Sequence, residues 1–312
     1  MALRTSQRLL LAKIESTYGT DPTPTGAANA ILVRNLEISP FQSDAVEREL
    51  IRGYMGNFEV LHANQRVELT FEVEMVGSGA AGTAPAWGPV LKACGNSETV
   101  VGSTSVTYAP VSSSFDSVTL YCFYDGTRHV ITGARGTMSI SLSAGQLATM
   151  SFQFTGIYNN PDSTALSGTF TVANQAAALE VNDTNVTTAT FFGETSQRIE
   201  SLDFALNNSL IYKETASSQQ ALIVDRAPGG TAVIEAPARS TTDYFEDARG
   251  NSTASSSIVL GGTAGNITTL TMAQTDVTGI SYGDTNGVIS LTMPYLALPT
   301  TAGNNSFSLA FT

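Results

Sequence analysis

Several stretches of this chain alternate between apolar and polar residues with the period of two that a half-buried β-strand requires. The clearest is RVELTFEVEM at positions 66–75. The apolar face of this strand would carry Val67, Leu69, Phe71, Val73 and Met75. The opposite face would carry Glu68, Glu72 and Glu74. The pattern predicts one face in a core and one acidic face, and it leaves open what the acidic face contacts.

Turn and helix signals lie between the strand-like runs. The dipeptide Asp125-Gly126 separates two such runs, which is typical of a tight β-hairpin. The segment APAWGPVLKACG at 84–95 has helical spacing, and its last glycine would end the helix. We expect this helix to pack on a sheet through Trp87, Val90, Leu91 and Cys94.

The order of elements in the first half of the chain recurs in the second half. Four pairs of segments match in the same order: VRNLEIS (33–39) with IESLDFA (199–205), VLKACG (90–95) with FEDARG (245–250), RGTMSISL (135–142) with NGVISLTM (286–293), and MSFQFT (150–155) with FSLAFT (307–312). Such a series indicates an internal duplication. It predicts an N-terminal arm (1–30, rich in Pro and Gly), a first mainly-β domain (31–160), a linker (161–178) and a second mainly-β domain (179–312), each domain with one short helix.

The charge composition argues against one class of partner, double-stranded nucleic acid. Acidic residues outnumber basic ones, 27 Asp+Glu against 15 Lys+Arg, for a formal charge of −12. A duplex-binding surface needs clustered Lys and Arg, so this balance argues against one, although DNA could pass such a surface without adhering. No segment approaches the roughly 20 apolar residues of a membrane helix, and no secretory signal is expected. Two cysteines, Cys94 and Cys122, are expected as free, buried thiols.

Candidate chemistry is sparse. The two histidines, His62 and His129, have no second histidine or cysteine at ligand spacing, so a zinc site is not expected. No nucleophile elbow, P-loop or dinucleotide fingerprint occurs. A hydrolase that uses His129 is the weakest of the functional alternatives. We therefore expect no enzymatic activity, no metal and no cofactor.

Several segments together resemble the tail tube (major tail) proteins of long, non-contractile-tailed bacteriophages. They are LLLAKIESTYGTDPTPTGAANAI (9–31), APAWGPVLKACG (84–95), YDGTRHVITGARGTMSISLSAG (124–145) with MSFQFTG (150–156), and LIVDRAPGGTAVIEAP (222–237). The resemblance implies a mainly-β fold of two tandem tail-tube-type β-sandwich or barrel domains, each with a short flanking helix. It also implies a structural protein of the virion tail, assembled in the bacterial host cytoplasm.

Members of that family polymerise into stacked rings whose inner sheets join edge to edge. The resemblance therefore implies self-association, as trimeric rings with pseudo-six-fold symmetry or as hexamers, and no membrane. A tape-measure protein and genomic DNA would pass through the lumen without sequence-specific binding, and tail terminator and distal tail proteins would contact the tube. The competing interpretation is a β-rich binding module, such as a tail-tip, adhesin or capsid-decoration protein, which the Ser/Thr/Gly richness fits equally well.

Two sets of residues follow as site candidates. The lumen-facing candidates are Glu68, Glu72, Glu74 and Glu235, with an ordinary solvent-facing sheet surface as the alternative. The second set lies in the segment SDAVERELIRGYMGNFEVLHANQ and mixes charges with large apolar side chains, as partner surfaces do. Its candidates for contacts between rings or subunits are Asp44, Glu47, Arg48, Glu49, Leu50, Ile51, Arg52, Tyr54, Met55 and Phe58, with a hairpin folded onto its own domain as the alternative.

Overall fold

The computed structural model describes residue 4 and residues 7–164, 170–195 and 197–312. Within these residues the chain is mainly β, as predicted, with three short helices. We refer to the described residues up to 164 as the first half and to those from 170 as the second half.

The first half contains nine strands and two helices. They are β1 (Arg8–Ile14), α1 (Gly26–Asn29), β2 (Ala30–Ile31), β3 (Arg34–Val46), β4 (Leu61–Glu74), α2 (Gly88–Ala93), β5 (Asn96–Val101), β6 (Ser105–Pro110), β7 (Val118–Tyr124), β8 (Thr127–Ser143) and β9 (Thr149–Tyr158).

The second half contains eleven described strands and one helix. They are β10 (Val186–Phe191), β11 (Glu194–Thr195), β12 (Ile199–Ala205), β13 (Asn208–Thr215), β14 (Ser218–Arg226), β15 (Gly229–Glu235), α3 (Tyr244–Arg249), β16 (Ala254–Leu260), β17 (Thr268–Val277), β18 (Ser281–Thr285), β19 (Val288–Leu298) and β20 (Phe307–Phe311).

Eight antiparallel strands from both halves form one continuous sheet. Their order across the sheet is β3-β4-β9-β8-β12-β15-β19-β18. The pairing of β8 with β12 joins the first half to the second. The sheet therefore runs without interruption through the chain, and β3 and β18 are its two edges. We call it the eight-stranded sheet.

Most of the remaining strands form a second layer over this sheet, whereas β13 and β14 form a separate two-stranded sheet. In the first half, β8 continues into it and pairs with β7, which pairs with β1. In the second half, β17 pairs with β16, which pairs with β10. The C-terminal strand β20 lies between β17 and β6, so the second layer also connects the two halves. Part of the segment expected to be an N-terminal arm therefore belongs to the fold, because β1 is paired along its whole length.

The pairing order repeats in the two halves. β3, β4, β9 and the end of β8 are neighbours in the first half, as β12, β15, β19 and β18 are in the second. Both β3 and β12 carry a register shift near their start. The Met75 N–H donates to the Ala148 carbonyl beside β9, and the Ala236 N–H donates to the Ile289 carbonyl of β19, both at 2.9 Å.

This order corrects two of the four sequence matches. The pairs 33–39 with 199–205 and 90–95 with 245–250 occupy matching places, in β3 and β12 and around α2 and α3. The other two pairs do not. β9 is the neighbour of β4 as β19 is of β15, whereas the sequence matches align β8 with β19 and β9 with β20. Strands in which Ser or Thr alternates with apolar residues have similar sequences in many different alignments. Sequence similarity alone therefore matched strands that are not equivalent in the fold.

Burial follows the predicted alternation. On β4, Val67, Leu69, Phe71 and Val73 are each at most 2% exposed, whereas the residues between them are partly or fully exposed. The apolar faces of both halves merge into one core between the two layers. Both predicted helices are present, and α3 begins after Asp243, whose side chain accepts a hydrogen bond from the Glu246 N–H as an N-cap.

The predicted hairpin is also present. Tyr124 pairs with Thr127 across Asp125 and Gly126, both of which have positive φ, 30° and 94°, as a two-residue hairpin loop requires.

Candidate functional site

The face of the eight-stranded sheet that points away from the core is polar. We call it the polar face. At one end of its two central first-half strands, β8 and β9, the face carries Arg135, which lies opposite Thr155 and donates to the backbone carbonyls of Phe115 and Ala221. The other side chains of these two strands on this face are uncharged and polar: Thr137, Ser139, Ser141, Ser143, Thr149, Ser151, Gln153 and Thr155. These side chains are short, so the middle of the face is a smooth hydroxyl-rich wall without fixed charge.

Carboxylates flank this uncharged centre. Glu68, Glu72 and Glu74 alternate with the buried apolar residues of β4, and Glu235 has the same orientation on β15. The structure thus brings all four lumen candidates to one face. The two strands lie four places apart in the sheet, roughly 19 Å at about 4.8 Å per strand.

Cations hold three of these four glutamates in place. Arg34 Nε lies 3.3 Å from Glu72, Arg66 Nε lies 3.3 Å from Glu68, and Arg198 donates to both carboxylate oxygens of Glu235 at 3.0 Å. In the part of the chain that the structure describes, Glu74 has no ion pair. Each arginine is bound by a carboxylate of the same face, so it is not free to attract phosphate, and exposed pairs of this kind add little to stability.

Two further carboxylates on the face were missed by the sequence reasoning. Glu37 on β3 lies opposite Thr70, and Asp203 on β12 lies opposite Thr231. The signal was present, because these two residues are aligned acids in the matched segments VRNLEIS and IESLDFA. The Ser141 hydroxyl donates to Asp203 at 2.9 Å and so links the first half to the second on this face.

The centre of the polar face is concave. A trough of about 910 Å³ lies over it. It is lined by residues of β3, β4, β8, β9 and β12, among them Glu37, Thr70, Ser139 and Ser151, and by Asn208 at the start of β13. The trough is broad and open. This geometry suits a wall that curves around an object larger than a small-molecule ligand.

The loop between β3 and β4 is the second surface of interest. Val46 and Leu61 are the last paired residues of the hairpin, and residues 47–60 lie beyond them as a loop. Asp44 lies on the paired stem, not in the loop. A hydrogen bond from Asn64, and to a smaller extent one from Arg66, lowers the pKa of the Asp44 carboxyl below its usual value.

Within this loop, two arginines make contacts with other loop residues, and several apolar side chains are exposed. Arg48 pairs with Glu59 across the loop, and the guanidinium of Arg52 lies over the rings of Tyr54 and Phe58, at 4.5 and 4.2 Å. Glu47 and Glu49 are exposed. The large apolar side chains exposed on the loop are Leu50, Ile51, Tyr54, Met55 and Val60. A group of exposed apolar residues of this kind is typical of a protein contact surface.

A hairpin of the second half occupies the corresponding place. β13 and β14 are inserted between β12 and β15, as the loop is inserted between β3 and β4. This hairpin lies against the first half of its own chain. The Ala221 N–H donates to the Tyr18 hydroxyl at 2.7 Å, and Arg226 donates to the Gly95 carbonyl at 2.6 Å.

The four helix residues singled out from the sequence are core residues. Trp87, Val90, Leu91 and Cys94 have no exposed surface, and they position α2 between the layers. Both cysteines are free and buried, and burial raises the pKa of the Cys122 thiol to about 12. His129 is half-buried beside Tyr124, and burial lowers its pKa.

Within residues 7–164, 170–195 and 197–312, His, Cys, Asp and Glu form no group of three that could hold a metal ion. None of the helices described is both long enough and apolar enough to span a membrane.

A family model described as phage tail tube protein matches residues 5–298 of the chain. No curated protein matches the chain significantly.

Proposed function

Because the chain belongs to the phage tail tube protein family, a family of structural proteins of the virion tail, we propose that it polymerises into stacked rings whose polar faces line a lumen that conducts DNA. The observation that carries this proposal is the eight-stranded sheet, which has a concave polar face and an edge strand at each end. Open sheet edges are a liability for a monomer, and ring closure removes them.

The repeated pairing order supports a tandem duplication within the chain. In this proposal residues 31–160 and 179–312 are two tube domains joined by a linker at 161–178, of which residues 165–169 lie outside the described residues. One chain then supplies two equivalent units to a ring. Three chains give a closed ring with pseudo-six-fold symmetry, a common way for repeats to close.

The size of such a ring is consistent with a channel. Three chains with eight strands each supply 24 strands. With strands about 4.8 Å apart and tilted by 35–45°, that barrel is roughly 45–50 Å across its backbone. Barrels of about 16–18 strands already enclose an aqueous channel, so the lumen of a 24-stranded barrel is wide even after its side chains are counted.

The composition of the wall supports passage without binding. Each arginine or lysine that contacts phosphate adds to affinity through counterion release. On the polar face Arg34, Arg66 and Arg198 are neutralised by Glu72, Glu68 and Glu235. The centre carries hydroxyl groups and the Gln153 amide, and Arg135 at one end of it donates to the backbone carbonyls of Phe115 and Ala221. DNA, and a tape-measure protein before it, would therefore slide along the wall, with Glu68, Glu72, Glu74 and Glu235 in or beside the lumen.

The loop between β3 and β4 is proposed as the contact between subunits or rings. The hairpin β13–β14 supports this, because it sits at the matching place and lies against the preceding unit of the same chain. In the proposed ring, the unit beside the first half on this side is the second half of a neighbouring copy, so the exposed Ile51 and Met55 would contact that copy. Terminator and distal tail proteins would bind the two ends of the tube, and assembly would take place in the host cytoplasm.

Negative-stain microscopy of the purified protein tests this function. The expected result is stacked rings or tubes with a stain-filled lumen. Isolated particles that bind glycans or cell surfaces would instead support a tail-tip, adhesin or decoration protein, and would overturn the tube proposal.

A further inference from the structure

The two edges of the eight-stranded sheet have equivalents that are already paired inside the chain. In the described structure β3 pairs only with β4, and β18 pairs only with β19. In the repeated pairing order, β12 of the second half is equivalent to β3 of the first half. The end of β8 in the first half is likewise equivalent to β18 in the second half. β12 and β8 pair antiparallel, with Ser201 opposite Ser143, Asp203 opposite Ser141 and Ala205 opposite Ser139.

Individual residues of β3 and β12 can be matched through their neighbouring strands, because β3 pairs with β4 as β12 pairs with β15. Glu37 and Ser39 lie opposite Thr70 and Glu68 of β4. Asp203 and Ala205 lie opposite Thr231 and Gly229 of β15. Glu37 therefore corresponds to Asp203, and Ser39 corresponds to Ala205, which is also the alignment of the matched sequences.

The other edge is fixed in the same way. Ser139 and Ser141 of β8 lie opposite Ser151 and Thr149 of β9. Ser281 and Gly283 of β18 lie opposite Thr292 and Ser290 of β19. Since β9 and β19 are matched by the equivalent hydrogen bonds to Ala148 and Ile289, Ser281 corresponds to Ser139 and Gly283 to Ser141.

We propose that β18 of one chain pairs antiparallel with β3 of a second copy in the register of the internal β8–β12 junction. The predicted partners are Ser281 with Ser39, Tyr282 with Ile38, Gly283 with Glu37, Asp284 with Leu36, and Thr285 with Asn35. This inference rests on the proposed ring and assigns the strands and the register that close it.

The difference in side-chain exposure between the internal β8–β12 junction and the free edge at β18 supports this pairing independently. Ile140, at the internal junction, is 1% exposed, whereas the corresponding Tyr282 is 70% exposed. Ala148 is 3% exposed, whereas the corresponding Ile289 is 58% exposed. At the internal junction Phe204 lies opposite Ile140 and is fully buried. Tyr282 and Ile289 thus form an apolar rim, and Ile38 of a second copy would lie against Tyr282 as Phe204 lies against Ile140.

The polar side of the junction is also compatible. Gly283 has no side chain, and the opposing Glu37 would occupy the space beside it. One pair departs from the internal pattern: Leu202 lies opposite Leu142 inside the chain, whereas Leu36 would lie opposite Asp284. Asp284 accepts a hydrogen bond from the Gly287 N–H in the turn, so this position belongs to the turn and contributes no apolar contact.

Disulfide cross-linking in assembled protein tests the register. In the variant S39C/S281C, oxidation should join neighbouring chains, so that monomer is lost and covalent dimers and trimers appear on a non-reducing denaturing gel. The native cysteines Cys94 and Cys122 are buried and should form no disulfide. The matched control A205C/S139C places the same geometry at the internal junction, and it should cross-link within one chain without forming oligomers.

A register-shifted variant makes the test specific. S39C/G283C moves one partner by two residues, about 7 Å along the strand, beyond the roughly 3.5–4.5 Å between Cβ atoms that a disulfide allows. It should give little covalent oligomer. Cross-linking of the shifted pair in preference to S39C/S281C would overturn the register, even where microscopy of the same samples shows rings.

Hydrogen exchange on the unmodified protein covers the case in which the cysteine variants fail to assemble. On assembly, the amides of residues 34–39 and 281–285 should both become protected, while those of the internal strands β8 and β12 should change little. Tubes in which neither edge gains protection would contradict the pairing without contradicting the tube. An absence of rings or tubes for the unmodified protein would instead contradict the proposed function itself.

Discussion

The ring of Trp87, at the start of α2, meets the ring of Phe311, in the last strand, edge to face with the ring centroids 4.9 Å apart. Trp87 has no exposed surface and Phe311 is 3% exposed. The contact joins the helix of the first half to the C-terminal strand of the second. It belongs to the main core, which both halves share, so the two halves of this chain should fold as one unit.

The first prediction follows from that contact. Phe311→Ala should lower the free energy of unfolding by about 3–5 kcal/mol, because it removes a buried ring and leaves a cavity. Trp87 is the only tryptophan, so its fluorescence reports on the same contact. Denaturant unfolding followed by fluorescence and by circular dichroism should give one shared transition in both proteins. Phe245→Ala, at a partly exposed position, is the control and should cost much less. Two separate transitions would show that the halves fold independently.

The second prediction concerns charge on the polar face. Glu72→Lys combined with Glu74→Lys should leave ring formation intact but slow or arrest DNA ejection, because free ammonium groups on the wall would bind phosphate. Ejection should recover as the salt concentration rises. The control E246K/D247K places the same charge change on α3, on the core side of the sheet. Particles with the reversed wall that eject DNA at the normal rate at low salt would contradict a lumen-facing position.

The third prediction concerns the loop between β3 and β4. Replacing residues 47–60 with Asn-Gly would connect Val46 to Leu61, the last pair of the hairpin, through a favoured two-residue turn. The protein should stay folded and soluble, because the loop side chains lie outside the core, but it should fail to polymerise. The double variant I51S/M55S should weaken assembly in the same direction. Circular dichroism and microscopy separate folding from assembly, and tubes of normal length from the shortened chain would contradict the assignment.

The fourth prediction concerns pH. Hydrogen bonds from Arg128 and Thr164 lower the pKa of Asp162 from 3.8 to about 2. The pKa is lower in the folded state, so the ion pair stabilises the fold above about pH 4, and this contribution is lost as pH falls towards 2. The pair is partly exposed, so the contribution should be under about 1 kcal/mol. The difference in stability between the native protein and D162N should be constant near neutral pH and should vanish near pH 2. A difference that grows on acidification would contradict this sign.

The sequence predicted those elements whose signals are local. Strict alternation identified β4 and its buried face, Asp125-Gly126 identified the hairpin, and the spacing of Trp87, Val90 and Leu91 identified α2. β1 was read as part of an arm because the prolines that follow it dominated the segment, although Leu10 to Ala12 are buried against β7. The Asn286-Gly287 turn was an available hairpin signal that went unused, and with it the edge strand β18.

Long-range pairing could not be read from the sequence. That β8 borders β12, and that β20 lies between β17 and β6, depends on how the layers close, and short Ser/Thr-rich strands fit many registers. The same property explains the two misaligned repeat segments. The placement of Glu68 and Glu235 on one face also needed the strand order, because alternation assigns a residue to a face of its own strand and says nothing about which strands share a sheet.

The most direct test of the central claim is a cryo-electron microscopy reconstruction of one ring within an assembled tube. The expected ring has three chains, an inner barrel of 24 strands, and side chains of β8 and β9 such as Ser139 and Ser151 facing the lumen. A ring whose lumen is lined by other strands, or one in which the polar face points outward, would contradict the central claim. Six chains per ring would contradict the trimeric stoichiometry.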